Sequence, residues 1–284
     1  MKISKFVTGL TVGVAALTLL AACSSSSSSK SSSGSSTAQK INITLATDSA
    51  TKPFTYSEGT TLTGYDIEVA KAVFAKLPEY QVKYQIADFN AVMTGITAGT
   101  YQVVANDIGW TQDRDAQLYY SSPLSKSNNA VAVKSGTYKK ISDLAGKSTE
   151  GLPSSNFSKL ITDYNATASN KIKLTYVDAN TPVASRLNDV ATGKIDFLLY
   201  DAISLKSIIK DQGLNLKVEN VDSNVGDPAH DGYEYMVFNK DAQGKTLQTK
   251  VNAVLKELQA DGTLKKLSEK YLGGDFVPAA TEYK

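Results

Sequence analysis

Beyond residue 40 the chain alternates between two hydrophobic periods. The stretch INITLATD (41–48) sets apolar side chains at every second position and stops at a turn, as a strand running into a loop does. In GYDIEVAKAVFAKL, Ile67, Ala70, Phe74 and Leu77 fall on one helix face, with Glu68 and Lys71 outside it. YQVKYQIA is a second alternating strand. FNAVMTGITAG places Phe89, Val92, Met93 and Ile96 at helical spacing, and YQVVANDI is an apolar strand. This β-α-β-α-β order predicts a parallel sheet with helices on its faces.

The pattern then restarts. AVAVK (130–134) reads as a strand, and SDLAGKSTEG leads into another. Ser155 or Asn156 can cap a helix carrying Phe157, Leu160, Ile161 and Tyr164. IKLTYV, VASRLNDVATG, KIDFLLYD and AISLKSIIKD continue as strand, helix, buried strand and helix. YEYMVFNK is a last strand. Two helices follow, one lined by Val251, Val254, Leu255 and Leu258, the other by Leu264, Leu267 and Tyr271, with Gly262 between them. Two open α/β sheets in one chain place a ligand site between lobes, at the carboxyl ends of strands. That points to Asp48, Asp107, Asp201 and the loop 154–156.

The N-terminus has a different character. Lys2 and Lys5 precede an apolar run over 6–20, and the small residues Ala21 and Ala22 lead into Cys23. This is the layout of a secretory signal peptide, and about 15 apolar residues fall short of the roughly 20 that span a bilayer. The tetrad Leu20-Ala21-Ala22-Cys23 resembles the bacterial lipobox, which implies a signal peptide over 1–22 and a diacylglyceryl group on Cys23. The alternatives are an ordinary signal peptide cut after Ala22 and a cysteine there by chance. The serine-rich segment over 23–40 reads as a solvated tether, too poor in apolar residues to fold. Cys23 is the only cysteine of the 284 residues, so no disulfide framework supports the fold.

Charge narrows the function classes. The whole chain carries a formal +2, but residues 41–284 hold 26 basic and 28 acidic side chains. With no basic stripe, nucleic acid is not an expected partner. The single histidine, His230, sits in a turn-like GDPAHDG run, so neither a His/Cys metal site nor a Ser-His-Asp hydrolase is expected. No glycine-rich phosphate loop of Walker type is present, and no cofactor is expected.

KPFTYSEGTTLTGYDIEVAKAV, DFNAVMTGITAGTYQVVAN, TQDR, DLAGK, GKIDFLLYD and LKELQADGTLKKLSEKYLG, in that order, resemble the polar amino-acid solute-binding proteins of ABC importers. The likeness runs over 41–274, and LPEYQVKYQIADFN and LPSSNFSKL are most similar to cystine-type receptors. The resemblance implies a two-lobed, periplasmic-binding-protein-like (type II) α/β fold with a cleft between the lobes. Lobe one would comprise 41–125 and a return segment 234–284, lobe two 126–233, with crossing strands near 124–128 and 231–235.

It also implies a site. An α-amino acid is a zwitterion, and each of its charges needs a partner to replace water. Arg114, in TQDR, matches the carboxylate-binding arginine of the family, whose planar fork suits a carboxylate. Asp201 matches the amine-binding acid and can also cap the next helix; Asp48 matches a position near the ligand. Backbone donors would come from 107–109 and from Ser154, Ser155 and Asn156. The family often has Ser or Thr where this chain has Gly109 and commonly Gly where it has Asp107, so Asp107 is a candidate partner for a ligand side chain or a second amine. Phe54 and Phe89 fall at pocket positions, and Thr51 stands where some relatives carry an aromatic. Trp110 and Arg186, the latter within a lobe-two helix, read as structural.

The expectation is a monomeric, lipid-anchored receptor on the outer face of a bacterial cell membrane. It would close on a polar amino acid, L-cystine or a related sulfur-containing amino acid first, and hand it to an ABC permease and ATPase. Two alternatives share the scaffold: an enzyme of cyclohexadienyl-dehydratase type, for which Asp107 and Glu150 are available acids, and a surface adhesin or sensor.

Overall fold

The computed structural model describes residues 40–222 and 229–283; the expected signal peptide, Cys23 and the serine run lie outside the described residues. The chain begins with β1 (Ile41–Thr47) and a three-stranded antiparallel flap of β2 (Ala50–Thr51), β3 (Thr55–Glu58) and β4 (Thr61–Thr63). Then come α1 (Tyr65–Ala75), β5 (Tyr80–Ile86), α2 (Phe89–Thr97) and β6 (Val103–Gly109). β5 and β6 both lie parallel to β1, as the β-α-β-α-β pattern predicts. The sequence pattern does not predict this flap, because its strands are only two to four residues long and rich in Thr, without an apolar alternation.

The chain continues through α3 (Gln112–Asp115), β7 (Leu118–Tyr120) and β8 (Ser125–Lys126) into a second lobe. That lobe holds β9 (Asn129–Val133), β10 (Ser148–Gly151), α4 (Asn156–Thr167), β11 (Lys173–Tyr176), α5 (Val183–Thr192), β12 (Phe197–Asp201), α6 (Ala202–Gln212) and β13 (Lys217–Asn220). β14 (Tyr233–Asn239) returns to the first sheet, and α7 (Ala242–Ala260) and α8 (Thr263–Leu272) close the chain. The first sheet has the order β5-β1-β6-β14-β7, with β14 antiparallel to β6. In the second lobe β9 is antiparallel to both β12 and β13. It enters directly from the crossing segment rather than through a helical crossover, so the parallel rule for βαβ units does not govern it.

Strand alternation sorts the first lobe into two cores. Val103 and Ala105 face α1, α7 and α8 together with Met236 and Phe238. Val104 and Val237 point the other way, onto Phe89, Val92, Met93 and Ile96 of α2. The second lobe packs its own core around Ala130–Val133 of β9, Leu187, Val190 and Phe197. Between the lobes two segments run side by side: Lys126 pairs with Tyr233 and Ser125 with Glu234. Ser127 N–H donates to Gly232 O at 2.7 Å. Gly232 has φ +75°, and a Cβ there would lie 2.0 Å from Ser127 O, so the crossing needs a glycine.

Candidate ligand site

The site begins with an irregularity in β6. Ala105 pairs with Met236 and Ile108 with Tyr235, so Asn106 and Asp107 have no partners on β14. A bulge of this kind re-aims side chains. Asp107 has φ 52°, the one left-handed non-glycine residue among those described. That geometry explains why glycine suits this position and why an aspartate is among the residues that tolerate it. The conformation is held by the Asp107 N–H, which donates to Asp66 Oδ2 at 2.7 Å from the first turn of α1.

Around Asp107 the fold gathers buried acids. Asp66, Asp107, Asp201 and Glu234 are each less than 10% exposed. Asp107 and Glu234 lie within hydrogen-bonding reach of each other, and the Ser125 hydroxyl donates to Glu234. Burial first, then the neighbouring acids, raise the pKa of Asp107 and Glu234 well above the usual carboxylate range. Burial also raises Asp66 to about 7 and Asp201 to about 6. Asp201 caps α6, its Oδ1 accepting the Ser204 N–H at 2.8 Å. Its Oδ2 has no partner, and neither has Asp107 Oδ2. Among the described residues no such group is arranged to hold a metal ion. Two buried carboxylate oxygens without hydrogen-bond partners suit a hydrogen-bonding ammonium.

Arg114 sits across the lobe junction. Thr111 caps its short helix, and the guanidinium donates to Gly109 O at 2.7 Å and to Ser154 O of the second lobe at 2.6 Å. Its Cζ lies 5.9 Å from the Phe89 ring centroid. Beside it α4 starts at Asn156, with the Ser155 hydroxyl accepting the Phe157 N–H at 3.2 Å. Asn156 occupies the space above Gly109, where a Cβ would lie 2.6 Å from Asn156 Nδ2. The missing hydroxyl at residue 109 is thus matched by an amide from the opposite lobe. A second bridge, Lys52 to Asp211 at 2.6 Å, also joins the lobes.

Among the described residues, several hollows follow the junction. The largest, about 780 Å³, is lined by Asp107, Gly109, Asn156, Asp201 and Glu234, with Trp110 and His230 on its wall. A small cavity of about 30 Å³ shares Asp107 and Asn156 with it and is lined also by Asp48, Phe89 and Ser155. Arg114 and Ser154 line a separate depression of about 530 Å³. The lobe junction therefore brings Asp48, Phe89, Asp107, Gly109, Ser155, Asn156 and Asp201 to one connected region, while Arg114 abuts it through Gly109 and Ser154.

Phe54 does not join them. It is fully buried in the first-lobe core, edge-on to Tyr65 at 6.4 Å, because the 51–54 turn folds its ring under α1. Thr51 faces the small cavity instead, its hydroxyl donating to Asp48 Oδ2 at 2.7 Å. Asp48 also accepts from Ala50 N–H and Asn106, and burial raises its pKa against those bonds. Trp110 is half-buried, not core: it stacks on His230 at 4.7 Å, 8° from parallel, on the cleft wall. Glu234 went unnoticed in the sequence, although a charge inside the apolar run YEYMVFNK is a visible signal.

Residues 43–274 match the family model of bacterial extracellular solute-binding proteins, family 3. The L-cystine-binding protein TcyJ of Bacillus subtilis (strain 168) is 31% identical over 248 residues, covering 86% of this chain and 88% of its own length. A solved structure from work on glutathione import via GshT and the cystine ABC importer TcyBC of Streptococcus mutans is 37% identical. It superposes with a TM-score of 0.79 over 86% of this chain and 100% of that one. A putative L-cystine ABC transporter structure from Listeria monocytogenes is 26% identical, with a TM-score of 0.73, over 86% of this chain and 99% of that one.

Proposed function

The chain belongs to family 3 of the bacterial extracellular solute-binding proteins, and on that footing we propose that it captures L-cystine between its lobes and delivers it to an ABC importer. It is a solute-binding protein of the importer class and not an enzyme. The observation that carries the ligand is the acid cluster with open oxygens on Asp107 and Asp201, beside Gly109, whose carbonyl accepts from the Arg114 guanidinium. A single α-amino acid brings one ammonium; cystine brings two. One ammonium would meet Asp201, and Asp107 with Glu234 would receive further positive charge. The carboxylate would meet Arg114 and the amides at the start of α4. The B. subtilis and L. monocytogenes relatives support this ligand. Binding to the closed lobes in preference to open ones would drive closure, with the crossing segments at 125–126 and 233–234 as the hinge between lobes 41–125/234–284 and 126–233.

A second reading is glutathione. The 780 Å³ cleft is large for one amino acid, and the S. mutans neighbour comes from work on glutathione import. A thermal-shift screen followed by calorimetry separates the two, using L-cystine, reduced and oxidised glutathione, L-arginine and L-glutamine. L-Cystine should give the largest shift and be recovered unchanged. A larger shift with glutathione transfers the assignment to the second reading. No shift with any of them rejects both.

Attachment is a further part of the proposal. Cys23 would carry a diacylglyceryl anchor on the outer face of the cell membrane, with the serine run as tether and the receptor acting as a monomer.

A further inference from the structure

The second arginine of the chain is placed where a structural role does not account for it. On α5 the buried stripe is Val183, Arg186, Leu187 and Val190, so Arg186 takes an apolar position of the helix. It is 3% exposed, and its Nε has no hydrogen-bond partner. No ion pair engages it among the described residues. Its Cζ lies 5.6 Å from the Tyr200 ring centroid. Asp48 and Glu150 are the acids whose charges reach it. Asp48 is engaged by Ala50 N–H, Thr51 and Asn106, and Glu150 Oε1 by Lys194 at 3.1 Å; Glu150 Oε2 is buried without a hydrogen-bond partner, and neither acid forms an ion pair with Arg186 among the described residues. Burial lowers the Arg186 pKa. A guanidinium removed from water without a carboxylate is costly, and Arg keeps its charge under that cost.

The guanidinium faces the 30 Å³ cavity, whose wall includes Asp48, Phe89, Asn156 and Tyr200. That volume holds about two waters, the scale of a carboxylate head. Asp107, Asn156 and Phe157 line both this cavity and the large cleft, so the two adjoin across these three side chains. We propose that Arg186 binds a second anionic group of the ligand, a carboxylate remote from the one held near Arg114. The ligands of this protein are therefore dicarboxylates, and Asp48, across the junction from Arg186, orients the far end of the molecule. This inference rests on the amino-acid receptor reading above.

The test compares L-cystine with the mixed disulfide of L-cysteine and cysteamine, which keeps both ammonium groups and the disulfide but lacks one carboxylate. Calorimetry on wild-type protein should show L-cystine bound about 10- to 100-fold more tightly, the span expected of a charge-assisted hydrogen-bonded pair. Arg186→Gln should abolish that preference while leaving the mixed disulfide's affinity within about twofold, and Arg186→Lys should keep part of it. The mixed disulfide also reports that the variant is folded. Equal affinities in wild-type protein overturn the proposal without any variant, as does an Arg186→Gln protein that weakens both ligands alike. Wild-type protein that binds neither disulfide overturns the ligand assignment itself, and this inference with it.

Discussion

Asp107 donates its backbone N–H to the buried carboxylate of Asp66 at 2.7 Å, and that bond ties the left-handed turn of β6 to the first turn of α1. The bond needs an acceptor on Asp66 but not a charge. This matters because Asp66, Asp107, Asp201 and Glu234 all resist ionisation in the folded protein.

The sign of the resulting pH dependence is fixed. The unfolded chain releases these protons near pH 4, whereas the folded protein keeps them until about 6 for Asp201 and about 7 for Asp66. Between those values the native state binds more protons than the unfolded state, so ligand-free stability falls as pH rises from about 4 to about 7. Thermal melts of the ligand-free protein should show this decline. Glu234→Gln should melt higher than wild type at pH 7.5 and flatten the slope. A melting temperature that rises steadily over that range excludes the cluster as its source. L-Cystine binding should run the other way, weakening as pH drops through about 6, where Asp201 becomes neutral.

In the proposed site Arg114 and Asp201 divide the two charges of an α-amino acid between the lobes. Arg114→Ala should weaken binding by about 100-fold or more, given the energy of a charge pair formed away from water. Asp201→Asn should weaken it by at least about 30-fold while keeping the cap on α6, since Asn caps as well as Asp. Both variants should retain wild-type circular dichroism. Calorimetry showing affinity within threefold of wild type for either variant would remove that residue from the site.

The proposed attachment through Cys23 has a direct readout. Cells expressing the full chain should incorporate labelled palmitate into it and hold it in the membrane fraction. Cys23→Ala should release it unlabelled to the medium. Equal labelling of the variant would rule out a lipid on Cys23.

Much of this protein could be read from its residues in order. The alternation in 41–48 and 80–86 and the helical spacing of Phe89, Val92, Met93 and Ile96 set the parallel half of the first sheet, because period and face are local properties. The placement of Asp201 at a strand end and a helix start was likewise visible, since one side chain serves both positions. Other features depend on partners far away in sequence. Phe54 went to the core because α1 and Tyr65 lie over it, and Trp110 to the cleft wall because His230 comes to stack on it. Arg186 has the spacing of an ordinary helix residue. Only the folded chain shows that its charge is enclosed with no ion pair among the described residues, beside a cavity lined from both lobes. The sequence by itself determined the lobes and the chemical types available to the site. Which groups are desolvated together, and hence which charges demand a ligand, was decided by tertiary packing, because dielectric environment is set by neighbours in space rather than along the chain.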